Sequence, residues 1–217
     1  MRRYIIHIPD GFLNIATVAT TYVVSAGGVG NAVRIANKKL GEKQVPLMGV
    51  LAAFIFAAQM LNFPIAGGTS GHLIGAALAA ILLGPWASVL IMSCVLIAQC
   101  LIFQDGGLVA LGANIFNMGI VASFSGYYIY RFVTSLLGNG RRSKLAGGFI
   151  AAWSSVFLAA IVCAIELAVS GISPMRVVLP AMAGLYALIG IGEGLITGVV
   201  LSLVLATRAD LLELQRI

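Results

Sequence analysis

Charge is what this chain has least of. Only 9% of its 217 residues are Asp, Glu, Lys or Arg, while 60% are hydrophobic. A soluble domain carries about 25% charged residues. A surface so poor in charge cannot face water on all sides, and with a mean hydropathy of +1.05 the remaining solvent is lipid. The apolar runs also lack alternation, which excludes barrel strands and leaves helical spans. Cysteine is scarce: Cys94, Cys100 and Cys163 lie inside apolar runs with no paired spacing. They read as small packing residues, not as a disulfide frame or a zinc cluster. No GxxxxGK(S/T) loop is present, so the chain is not expected to bind ATP in the P-loop manner. No acid and base are paired as an enzyme would need. Two histidines and three scattered cysteines are too few for a haem or iron–sulfur carrier. No apolar stretch precedes the first motif, so Arg2 and Arg3 do not open a signal peptide.

What is present is a series of apolar runs. A spanning helix needs about 20 such residues, and candidates fall at 12–36, 46–64, 70–84, 86–104, 108–136, 145–170 and 177–206. The expected fold is therefore an all-α polytopic membrane protein of about seven transmembrane helices. It forms one integral membrane domain over 1–217, with an extracytoplasmic segment 1–11, a bundle 12–206 and a cytoplasmic tail 207–217. The third run, HLIGAALAAILLGP, is short and rich in Gly and Ala, which allow close helix approach and point to the inside of a compact bundle. The last run is long enough to tilt.

The net charge of +6 would suggest nucleic acid in a soluble protein. Here most basic residues fall in two short loops, with Arg34, Lys38, Lys39 and Lys43 in one and Arg131, Arg141, Arg142 and Lys144 in the other. Cytoplasmic loops carry this bias. It predicts an inner-membrane protein with both loops and the C-terminus cytoplasmic and, with seven spans, the N-terminus outside. Arg2 and Arg3 run against it. Four segments then share the outer face: IHIPDGFL, NFPIAGGTSGH (62–72), FQDGGL (103–108) and SGISPMR (170–176).

The only two histidines, His7 and His72, fall in the first two of these segments. Imidazole suits divalent nickel, cobalt, copper and zinc, and two on one face could make half of a four-coordinate site. The competing reading is an interfacial histidine bonded to its own loop. Asp10 and Asp105 each fit a turn or helix cap, with support of a metal ligand as the other reading. Glu193 lies within a long apolar run and Glu166 near the outer end of another; an intramembrane acid marks a functional site by default. Glu193 with Gln99, Asn114 and Asn117 could form an internal polar network, for which plain interhelical hydrogen bonding is the bland account.

The segments HIPDGF (7–12), FAAQMLNFPIAGGTSGHLIGAALAAILLGPWA (56–87), QDGG (104–107), LGANIFNMG (111–119) and GIGEGLIT (190–197) resemble the CbiM/NikM-type membrane subunit of energy-coupling factor transporters for cobalt and nickel. They occur in the family's order over most of the chain. The resemblance implies a non-ATPase subunit that captures Ni2+ or Co2+ as its substrate at the outer face, with no permanently bound cofactor. It also implies an energy-coupling factor scaffold protein in the membrane, two cytoplasmic ATPase subunits and, in many members, a small accessory membrane protein. The ion is held in the family by the N-terminal amine, by the backbone nitrogen and imidazole of the histidine in second position, and by the histidine of the GTSGH-type loop. This all-nitrogen square-planar set suits nickel. His7 and His72 match its two histidines, with Thr69, Ser70, Asp10, Gln99, Asp105, Asn114 and Asn117 as supports. The chain departs from the pattern in carrying MRRYII before His7, so Ile6 offers only a peptide nitrogen. An early start site, trimming, or a different ligand set would each account for this. Tyr186 stands where many relatives carry histidine. Two other classes compete: a scaffold that binds no solute, and the same fold turned to another solute.

Overall fold

The computed structural model describes residues 7–39, 41, 44–60, 63–65 and 69–212, and of 63–65, 69–71 and 212 the backbone alone. Asn14 opens the first helix, its Oδ1 accepting the Thr17 N–H at 2.8 Å, and α1 runs over Ile15–Lys39. Lys38 and Lys39 close its last turn, where cations suit the carbonyl end of the dipole. Helix α2 covers Gln44–Gln59. A two-stranded antiparallel ribbon follows, β1 (Phe63–Ile65) and β2 (Thr69–Gly71), with Phe63 opposite Gly71. Then come α3 (Ala76–Leu83) and α4 (Pro85–Phe103). A column is built next from α5 (Leu111–Asn114), a π-helical stretch Ile115–Val121 and α6 (Ala122–Leu137). The long helices α7 (Arg141–Val169) and α8 (Met175–Thr207) complete the bundle.

Three of these, α4, α7 and α8, are long and apolar enough to cross a membrane, and they coincide with the spans expected at 86–104, 145–170 and 177–206. The run at 46–64 is shared between α2 and the ribbon. The run at 70–84 differs most from expectation, because only eight of its residues are helical. At about 1.5 Å per residue they span roughly 12 Å, well short of a bilayer core. The cause is local: Gly75 takes a left-handed φ of +79°, and the backbone before it is bonded elsewhere. All eight α3 residues are buried. The run is a short strand end, an irregular stretch and a short helix, and the helix is wrapped by protein.

Small residues set the packing. A Cβ on Gly126 of α6 would stand 2.8 Å from the Cβ of Ala77 in α3. Gly148 and Gly194 let α7 and α8 close onto Leu201 and Phe149, and Gly190 lies against Trp153, as expected where van der Waals contact drives helix association. Leu188, Leu195, Val199 and Leu203 form an exposed apolar stripe along α8, suited to lipid. Asn14 Nδ2 donates to the Val169 carbonyl, so the start of α1 and the end of α7 share one end of the bundle. Lys39 lies with Leu83–Trp86 at the opposite end.

Candidate metal-capture site

His7 and Ile8 are irregular backbone, and the Asn114 side chain grips both polar groups of Ile8. Asn114 accepts the Ile8 N–H at 3.1 Å and donates to the Ile8 carbonyl at 3.2 Å. Gly107 N–H adds a bond to the same carbonyl at 3.0 Å. The crossing is so close that a Cβ on Gly106, whose φ is +93°, would lie 2.8 Å from the His7 Cβ. Asp10 caps a helix, though not the first one. Its carboxylate accepts the N–H groups of Leu108, Val109 and Ala110, the turn entering α5, while Asn14 caps α1. Asp105 Oδ1 lies 3.4 Å from His7 Nδ1.

His72 arrives from the other side. Its Nδ1 is 2.8 Å from the Leu73 carbonyl. A carbonyl only accepts, so Nδ1 carries the proton and Nε2 the lone pair. Beyond it, Glu193 on α8 accepts the N–H groups of Ile74 and Gly75 at 2.6 and 2.7 Å. Gln59 Nε2 donates to the Ile74 carbonyl and receives Gln99 Nε2 on its own oxygen. The expected network of Glu193, Gln99, Asn114 and Asn117 is thus split in three. Glu193 and Gln99 hold the His72 segment, Asn114 holds the His7 segment, and Asn117 donates to Glu166 at 2.7 Å.

These braces bring the two imidazoles together. Their ring centroids are 5.0 Å apart with planes tilted by 50°, and the residues are 5% and 2% exposed. Neither His7 ring nitrogen has a hydrogen-bond partner among the described residues, a costly state for a buried imidazole. Both rings line a cavity of about 50 Å³, shared with Asn114, Asn117, Cys163 and Tyr186. Metal–nitrogen bonds are about 2 Å long, which places two nitrogens on one ion roughly 3–4 Å apart, and rings at this spacing can meet that. Among the described residues no group of three His, Cys, Asp or Glu side chains could hold an ion, so the imidazole pair supplies only part of a coordination shell. Ile6 lies outside the described residues. Thr69 and Ser70 stand in β2.

Gln59 and Met182, which also reach this region, were not among the residues singled out from the sequence. Gln59 is an amide closing the apolar stretch of α2, a signal of the same kind that marked Gln99. Met182 is indistinguishable from a lipid-facing residue without the fold. The three cysteines are unpaired, and Cys163 turns out to face the cavity.

Residues 7–211 match the CbiM family profile, described as the cobalt uptake substrate-specific transmembrane region. The chain is 46% identical over 210 residues to a putative fused nickel transport protein, NikMN, of Archaeoglobus fulgidus, covering 95% of this chain and 68% of that one. It is 42% identical to a putative metal transport protein of Haloquadratum walsbyi, over 96% and 94% of the two chains. The crystal structure of a truncated transition metal transporter superposes with a TM-score of 0.84 at 38% identity, covering 93% of this chain and 99% of the other.

Proposed function

Because the chain belongs to the CbiM family of cobalt-uptake substrate-specific transmembrane regions, we propose that it captures nickel or cobalt for an ATP-driven uptake system. It is a membrane component of metal uptake and not an enzyme. The observation that carries the proposal is the buried pair of imidazoles, His7 and His72, facing one cavity from segments 65 residues apart in the chain. Asp105 Oδ1 stands 3.4 Å from His7 Nδ1, near enough to orient the ring once an ion is bound, as outer-shell carboxylates do. Asn114, Asp10 and Gln99 hold the backbone that carries both rings; Thr69 and Ser70 precede His72 in its loop. The remaining ligands come from the backbone at Ile6, from the terminal amine if the chain is trimmed to it, or from water.

In this proposal residues 12–206 form one bundle in the inner membrane, with the segment 1–11 and the histidines facing outward and the tail 207–217 in the cytoplasm. The basic end, with Lys38, Lys39, Arg141 and Arg142, faces the scaffold protein and the two ATPase subunits of an energy-coupling factor complex, with a small accessory membrane protein as a further partner.

Calorimetric titration of the purified chain with nickel and with cobalt tests this. Tight binding is expected, and either His7→Ala or His72→Ala should abolish it. A wild-type chain that binds neither ion would instead support a scaffold role. A second arm compares the full chain with one lacking residues 1–5 and carrying Ile6→Met. Tighter nickel binding by the shortened chain would identify the amine as a ligand; equal affinity would exclude it.

A further inference from the structure

Asn117 and Glu166 carry a feature that neither packing nor the histidine pair uses. Asn117 stands on the π-helical stretch, is 3% exposed and lines the cavity. Glu166 stands on α7, 7% exposed, one turn beyond Cys163, which lines the same cavity. Asn117 Nδ2 donates to Glu166 Oε2 at 2.7 Å. The other oxygen of each group, Glu166 Oε1 and Asn117 Oδ1, is buried with no hydrogen-bond partner among the described residues. No Lys or Arg there pairs with Glu166. Two buried acceptors on hydrogen-bonded side chains, one of them on a carboxyl group with no Lys or Arg paired to it, are costly unless a proton or a cation completes them. The wide turn that carries Asn117 strengthens the point, since π-helical turns recur at functional sites.

We propose that Glu166 and Asn117 form a second position for a divalent cation, built from oxygen donors and adjoining the cavity of the histidine pair, which Asn117 lines. The proposal rests on the reading of the histidines as the capture site. Imidazoles favour nickel and cobalt, whereas carboxylate and carbonyl oxygens suit harder ions such as manganese and magnesium. The two positions therefore differ in donor chemistry and charge. Neutral imidazoles bring no negative charge to a doubly charged ion, and Glu166 brings one. An ion leaving the nitrogens would find the oxygen pair beside the cavity, on the wall that Asn117 lines.

Donor hardness also separates the two sites experimentally. The full chain in detergent would be titrated with Mn(II), followed by electron paramagnetic resonance. Wild type should bind the ion, and Glu166→Gln should weaken that binding by about 10-fold or more. Glu166→Asp, which keeps a carboxylate, should restore it in part. Asn117→Ala gives an independent check should Glu166→Gln fail to fold, and melting curves establish which variants are folded. Absence of Mn(II) binding in wild type would overturn the proposal, since the two oxygens would then share a proton. So would wild-type Mn(II) affinity in folded Glu166→Gln and Asn117→Ala, or a Mn(II) signal lost in His72→Ala but kept in Glu166→Gln. Nickel calorimetry on His72→Ala decides the histidine reading separately, so either can fail alone.

Discussion

Asn114 shows how much one amide can do. It presents a donor and an acceptor on one planar group, and both go to the backbone of Ile8, the residue after His7. A carboxylate at this position could accept from the Ile8 N–H but would face the Ile8 carbonyl with an oxygen. Asn114→Asp should therefore weaken nickel binding as badly as Asn114→Ala does. Each is expected to cost on the order of 10–100-fold in affinity, the usual loss when a residue supporting a metal ligand is removed. Isothermal titration would measure it, and near-wild-type affinity in Asn114→Asp would show that the side chain only fills space. Asn114 could be singled out from its place in an apolar run. Its partner could not, because an amide's target lies 106 residues away and no local pattern encodes that distance.

At the level of elements, α3 is the informative case. Its alanines read correctly as an interior helix, since small residues permit close approach. Its length read wrongly, because hydropathy cannot distinguish a run shielded by protein from one shielded by lipid. The departure from helix occurs where Glu193, 119 residues away on α8, takes the N–H groups that the start of the helix would leave open. A carboxylate also complements the positive end of the helix dipole. Glu193→Gln keeps one acceptor and sets an amide NH2 against the other N–H, a loss of about 1–3 kcal/mol for an unsatisfied buried group. Melting in detergent should fall for Glu193→Gln and further for Glu193→Ala. A Glu193→Ala chain that melts with wild type would refute this role.

For the whole molecule, the charge pattern and the structure agree on two ends. Lys39 lies with the α3–α4 turn, and Leu108 lies with Asp10 and the histidines. With the three native cysteines replaced, single cysteines at Lys39 and Leu108 should react with an impermeant reagent from opposite sides of the membrane. Labelling from one side would contradict the arrangement. That the two histidines lie together was legible because the expected topology puts both segments on one face and the chain has no other histidine. The braces around them were not, because they use backbone groups that every residue possesses. The π-helical stretch between Ile115 and Val121 left no mark in the sequence at all, yet it bears on how this chain can change in length. Removing one residue there would let the helix relax into regular bonding at little local expense. Because a wide turn holds one residue more than a regular one, the helices on either side would keep their facing, with Asn114 still toward Ile8 and Gly126 still toward Ala77. What a single deletion would erase is the bulge itself, and with it the turn that carries Asn117 to Glu166.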